Sequence, residues 1–112
     1  MHVLFDYSEE DNTNCLGVIK GKIKKFKSDS QPVPQMGWNY VDGIDEFKAI
    51  SNHYYFANSY YSSNTEECFG TSSYINKITS IVRKKNYIGC QFHPEKSSTA
   101  GELFLKYFIN QI

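Results

Sequence analysis

The sequence predicts an α/β domain, or part of one, with strands in the centre and a C-terminal helix. Three observations point that way. Aromatic, β-forming segments crowd the middle of the chain ("MGWNYV", "HYYFANSYY"), more short strand-like runs follow at close intervals, and the hydrophobic period then changes to that of a helix. A chain of 112 residues is long enough for one hydrophobic core and too short for two independent domains.

Met1, Leu4 and Phe5 fall at i, i+3 and i+4, which suits the buried face of a short helix, and "SEEDNTN" reads as a polar exit loop. In "LGVIKGKIKKFK", Val18, Ile19, Ile23 and Phe26 are punctuated by Gly17 and Gly21, the pattern of a short strand or hairpin with an exposed lysine face. "SDSQPVPQ" is a loop, because Pro32 and Pro34 lack backbone donors and hold their neighbours extended. "MGWNYV" and "HYYFANSYY" read as strands on either side of the turn-forming "DGIDEFKAISN". "CFGTSSYI", "ITSIVRKK" and "NYIGCQF" read as three more, joined by tight turns at Asn76-Lys77 and Lys85-Asn86. In the last segment Leu103, Phe104, Tyr107 and Phe108 form one stripe at helical spacing, which Ile112 extends, and Thr99 with Glu102 makes a capping-box pattern.

Composition narrows the function classes. Twelve basic and twelve acidic side chains give a formal net charge of zero, so nothing in the balance favours nucleic acid or an anionic membrane as partner. No apolar run approaches the roughly 20 residues needed to cross a bilayer. Three widely spaced cysteines and no signal-peptide layout predict a reduced, cytoplasmic setting. No C-x-x-C or H-x-x-x-H spacing is present, so neither a metal nor another cofactor is expected. The cluster Lys20, Lys22, Lys24, Lys25 and Lys27 reads first as a solvated strand face, with a phosphorylated ligand or an acidic partner as the functional alternative. Trp38 reads as core in a strand of this composition.

The chemistry concentrates in "QFHPEKS". Pro94 biases His93 toward an extended backbone, and residues i and i+2 of an extended chain project to one side, so His93 and Glu95 face together. A carboxylate beside an imidazole fixes its tautomer and stabilises its protonated form, as a general base serving a nucleophile requires. The pair follows the strand "YIGCQF", and the carboxyl ends of strands in open α/β sheets are where ligands bind. By itself H-P-E reads first as a strand-to-helix loop with a surface ion pair worth at most about 1 kcal/mol, since so short a motif matches easily by accident.

The wider pattern decides between the two. "IGCQFHPEKSSTAGELFLKYF", together with "LGVIKGKIKKF", "VPQMGWNYV" and "YYFANSYY" in the same order, resembles the C-terminal part of class I, triad-type glutamine amidotransferases, specifically the glutaminase subunits of imidazole glycerol phosphate synthases. The resemblance covers nearly all of residues 1–112 and implies a flavodoxin-like fold of which this chain is the C-terminal portion. It implies His93 as general base and Glu95 as its orienter, with bound glutamine lying along the backbone at Ser59 and Tyr60. It places Gly37, Trp38, Asn39 and Asn58 near the interface with a (β/α)8-barrel cyclase that uses the released ammonia in histidine biosynthesis. Paralogues that supply ammonia to bacterial surface-sugar pathways share these motifs, and a non-catalytic docking or regulatory fragment would carry them as well.

The nucleophile implied by the resemblance is a cysteine in a G-x-C-x-G-M-Q elbow, and Met1 matches the elbow's methionine. That puts the cysteine upstream of residue 1, so the chain alone is expected to lack glutaminase activity. Cys15 lies in a polar segment, and Cys68 and Cys90 in strands read as small core residues. Two departures from the family pattern stand out: His2 where glutamine is usual, and Asn58-Ser59-Tyr60 where the glutaminase subunits have histidine, serine and tyrosine.

Overall fold

The computed structural model describes residues 1–28, 30–63 and 65–110. Its nine strands form one mixed sheet: β1 (Tyr7–Ser8), β2 (Thr13–Asn14), β3 (Lys22–Lys25), β4 (Gln35–Gly43), β5 (Asn52–Asn58), β6 (Tyr60–Ser62), β7 (Cys68–Tyr74), β8 (Asn76–Lys84) and β9 (Tyr87–Cys90). A single α-helix among the described residues, α1 (Ser98–Asn110), follows the last strand. The order is β2-β1-β3-β6-β8-β7-β4-β5, and of the pairings only β1 with β3 is parallel.

β8 organises the sheet. Its residues from Ile78 to Val82 are all buried, as in a strand covered on both faces. One edge pairs with β7, and the other is shared, with Thr79 meeting Ser62 of β6 and Ile81 to Lys84 meeting β9. β4 is long for a related reason. Its first seven residues pair with β5 and its last two, Asp42 and Gly43, with β7. Residues of β4 alternate between core and solvent, with Gln35, Val41 and Gly43 buried and Met36, Trp38 and Tyr40 exposed.

The main core gathers Val41, Phe47, Tyr54, Phe56, Ile81 and Phe104 from five elements, and Phe92 from the segment after β9. Its centre is aromatic: Phe92 stacks on Tyr54 at 4.1 Å and meets Phe104 edge-on at 5.0 Å. A second cluster of Phe5, Ile19, Ile23 and Val82 ties the N-terminus to β3 and β8. The Cα radius of gyration, 13.3 Å, is that of a compact chain of this length, about 13 Å.

Most of the sequence expectations hold, with instructive exceptions. The N-terminal segment is a 3-10 turn, His2–Leu4, which still turns Phe5 fully into the core. "SEEDNTN" is not a plain loop, since β1 and β2 pair across it. β3 forms no hairpin of its own, its neighbours being β1 and β6. "HYYFANSYY" is two strands broken at Ser59, whose carbonyl accepts from the Phe26 amide. The turn between β4 and β5 is a 3-10 helix, Asp45–Ile50. α1 starts at Ser98, so Thr99 lies inside it rather than at its cap, and its inward face is Ala100, Gly101 and Phe104, while Leu103 is 52% exposed. Ile112 lies outside the described residues. Trp38, read from sequence as core, is 54% exposed because it falls on the outward phase of β4.

Candidate active site

His93 and Glu95 form the dyad that the sequence suggests. Nδ1 of His93 donates to Oε1 of Glu95 at 2.8 Å, which leaves the Nε2 lone pair free to take a proton. The backbone makes this geometry. His93 is extended (φ −101°, ψ 97°), Pro94 opens the 3-10 turn Pro94–Lys96, and Glu95 comes round onto the ring.

Ser97 locks the turn in place. Its hydroxyl donates to the His93 carbonyl at 2.7 Å and accepts from the Tyr55 amide at 2.9 Å, while the His93 amide donates to the Tyr55 carbonyl at 2.9 Å. The catalytic-type pair is thereby stitched to β5 from both sides. Gly101 closes the arrangement from the helix, because a Cβ there would lie 1.9 Å from the Pro94 carbonyl oxygen. Any other residue would push α1 away from the turn.

A hollow of about 480 Å³ opens beside the break between β5 and β6. Asn58, Ser59 and Tyr60 line it together with His2, Glu10 and Gln91. The structure thus brings the expected glutamine-cradling residues Ser59 and Tyr60 to one surface. His93 and Glu95 are not in its lining; they follow Gln91 by two and four residues along the same segment. Glu10 and Gln91 were not evident as site residues in the sequence. Glu10 sits in a polar stretch with no motif, and only the pairing of β1 with β3 carries it to the hollow.

His2 is bonded through Nε2 to the side-chain oxygen of Gln91, and burial holds its imidazole below its usual pKa of 6.5, more than the Gln91 bond raises it. At neutral pH it is an uncharged donor in the wall of the hollow. The three cysteines are free, and each thiol is bonded to a backbone carbonyl rather than to His93. Burial pushes the Cys90 thiol up to about 12, far from a reactive thiolate.

Asn58, which the sequence resemblance set near a partner surface, is only 7% exposed. Its side chain is engaged internally. The Gln35 amide donates to Oδ1 of Asn58 at 3.0 Å, the Asn58 amide donates to the Tyr60 carbonyl at 3.1 Å, and the Asn39 amide donates to Oε1 of Gln35 at 2.9 Å. Gln35 and Asn58 are direct cross-strand partners, so the register of β4 on β5 creates this chain. Trp38 stands on the opposite face of β4, edge-on to Tyr55 at 6.1 Å, and Gly37 beside it takes a φ of +124° that favours glycine. Among the described residues no group of His, Cys, Asp and Glu is arranged to hold a metal ion, and no helix is long and apolar enough to cross a membrane.

Comparison with known proteins settles the family. The family model described as glutamine amidotransferase class-I matches residues 8–111. The chain belongs to the class I glutamine amidotransferases. It is 36% identical to the imidazole glycerol phosphate synthase subunit HisH of Haemophilus influenzae, in an alignment covering 100% of this chain and 59% of that protein. It is 35% identical to subunit HisH 2 of Legionella pneumophila (98% of this chain, 58% of that protein) and 36% identical to HisH of Bacteroides fragilis (97% and 59%). The chain therefore spans somewhat more than half the length of the curated relatives it matches.

Proposed function

We propose that this chain is the base-bearing part of a glutaminase subunit of an imidazole glycerol phosphate synthase, which hydrolyses glutamine to glutamate and passes the ammonia to a cyclase. The observation that carries the reading is the 2.8 Å His93–Glu95 bond at the end of the segment that also walls the hollow. The relatives named HisH support the same assignment.

The residues divide the work as follows. Glutamine lies in the hollow along Ser59 and Tyr60, with the Glu10 carboxylate facing its ammonium group and the Gln91 amide available to its polar atoms. A thiolate attacks the side-chain amide carbon, and protonated His93 gives its proton to the departing nitrogen, so ammonia leaves and a thioester remains. His93 then draws a proton from the attacking water, which releases glutamate. Glu95 holds the imidazole in the tautomer that exposes Nε2 throughout. Cys15, Cys68 and Cys90 are poorly placed for the attack, so in this reading the thiol comes from the part of the relatives' length that this chain does not match.

Ammonia transfer requires a partner held close. The outward face of β4, with Met36 at 63%, Trp38 at 54% and Tyr40 at 46% exposure, suits the docking of a (β/α)8-barrel cyclase, since aromatic side chains dominate the binding energy of interfaces.

The test is glutamate release from glutamine by the complete subunit in the presence of the cyclase. His93→Ala is expected to lower turnover by about 10²- to 10⁴-fold while the protein stays folded. Unchanged turnover in a folded His93→Ala protein would remove His93 from the mechanism and with it the reading.

A further inference from the structure

The lysines of the β3 region are crowded together with no acid among them in the sequence. No acidic residue occurs between Asp11 and Asp29, while Lys20, Lys22, Lys24, Lys25 and Lys27 all do. Three cations elsewhere have a carboxylate beside them: Lys48 with Asp42 at 3.0 Å, Arg83 with Glu46 at 3.0 Å and Lys84 with Glu67 at 3.8 Å. None of the five is ion-paired among the described residues. Five like charges this close repel one another, and water and salt only partly relieve that.

Three of the five converge. Lys24, Lys25 and Lys27 line a groove of about 330 Å³ with Tyr61, Asn76 and Glu9. Its floor is rigid, because Tyr61 stacks on the buried Phe26 at 4.6 Å, and Lys24 is the direct cross-strand partner of Tyr61. The Tyr61 hydroxyl accepts from the Asn76 amide at 3.2 Å and gives its own hydrogen to no group among the described residues. Glu9, the one acid present, is already turned to the backbone, accepting the Lys25 amide at 2.8 Å. Tyr60 faces the hollow of the candidate active site and Tyr61 faces the groove, as alternation along β6 demands. The two concavities share no residue.

We propose that this groove binds the phosphate group of a small phosphate monoester. The lysines of the lining offer positive charge, and the Tyr61 hydroxyl offers a directed donor for a phosphate oxygen. A concave volume at the small end of ligand sites fits a phosphate with a short polar substituent and not a flat acidic protein surface. The Glu9 carboxylate at the rim suits a hydroxyl-bearing substituent, which it can accept from.

The experiment is a titration of the full chain with ribose 5-phosphate at low salt, read by amide NMR shifts, with inorganic phosphate and ribose as parallel probes. Saturable shifts confined to residues 24–27, 61 and 76 are expected with ribose 5-phosphate, weaker ones with phosphate, and none with ribose. Lys24→Gln combined with Lys27→Gln should weaken binding by at least about tenfold, the loss of a charged hydrogen bond. Lys20→Gln combined with Lys22→Gln, outside the groove, should change it by less than about twofold, since those charges act only through screened solvent. Equal losses from the two pairs, or shifts that stay linear and spread over every lysine, would reduce the groove to general basic attraction and overturn the proposal. Thermal melts of both double variants should match the parent, because none of the four side chains is ion-paired among the described residues.

Discussion

His2 shows how one residue joins fold and site. In the unfolded chain its imidazole takes up a proton near pH 6.5, and in the fold burial postpones this to lower pH. Below about pH 6.5 the unfolded state therefore binds more protons, and stability must fall as pH drops toward the folded value. His2→Gln should remove that part of the slope while keeping a polar contact to Gln91. Urea melts of both proteins at pH 7.5, 6 and 5 check it, and parallel curves would show that His2 is not protected from protonation. Asn58 makes a second case. With Asn58→Ala the buried Gln35 amide loses its acceptor and the Tyr60 carbonyl its donor, at a cost of about 1–3 kcal/mol in chemical denaturation. Glutamine binding should weaken too, since Tyr60 lines the hollow.

At the scale of elements, the junction between β9 and α1 is the decisive piece. The 3-10 turn Pro94–Lys96 is clamped by Ser97 to β5 and covered by Gly101 of α1. Glycine within a helix is less favourable than alanine by up to about 1 kcal/mol, so propensity alone predicts that Gly101→Ala stabilises. The added methyl would sit 1.9 Å from the Pro94 oxygen, and overpacking of that kind costs about 1–3 kcal/mol. Packing should win. A lower melting temperature for Gly101→Ala, with glutamine turnover of the complete subunit reduced through a displaced His93, is the expected result, and a raised melting temperature would contradict the contact.

For the whole molecule, the contrast is between a buried interior and one aromatic outer face. The core holds Tyr54, Phe56, Phe92 and Phe104, whereas Met36, Trp38 and Tyr40 remain exposed along β4. Trp38 contacts Tyr55 edge-on, so Trp38→Ala should cost the fold only about 1 kcal/mol. Binding of the cyclase should weaken by more than about 2 kcal/mol if this face is the docking surface. Calorimetric titration against a thermal melt separates the two, and intact binding by the alanine variant would move the interface elsewhere.

Local features of the sequence were enough for much of this. The sequence predicted that His93 and Glu95 meet, and they do, though through the 3-10 turn that Pro94 opens rather than along an extended chain. Alternation and turn residues likewise marked β4, β5, β7, β8 and β9, and the 3.6 period marked α1. Other features depended on contacts between distant residues. Whether Leu103 or Gly101 faces inward turns on what α1 packs against, and Trp38 is exposed because β4 has its core on the other side. Asn58 is buried because strand register places Gln35 opposite it. The hollow itself draws on His2, Glu10, Asn58 and Gln91, residues up to 89 positions apart, which no local pattern relates. Sequence by itself determined that His93 and Glu95 meet, and marked most of the elements around them, since backbone preference acts over a few residues. Tertiary structure alone decided which side chains share a surface, because that depends on pairing and packing between segments that meet only in the fold.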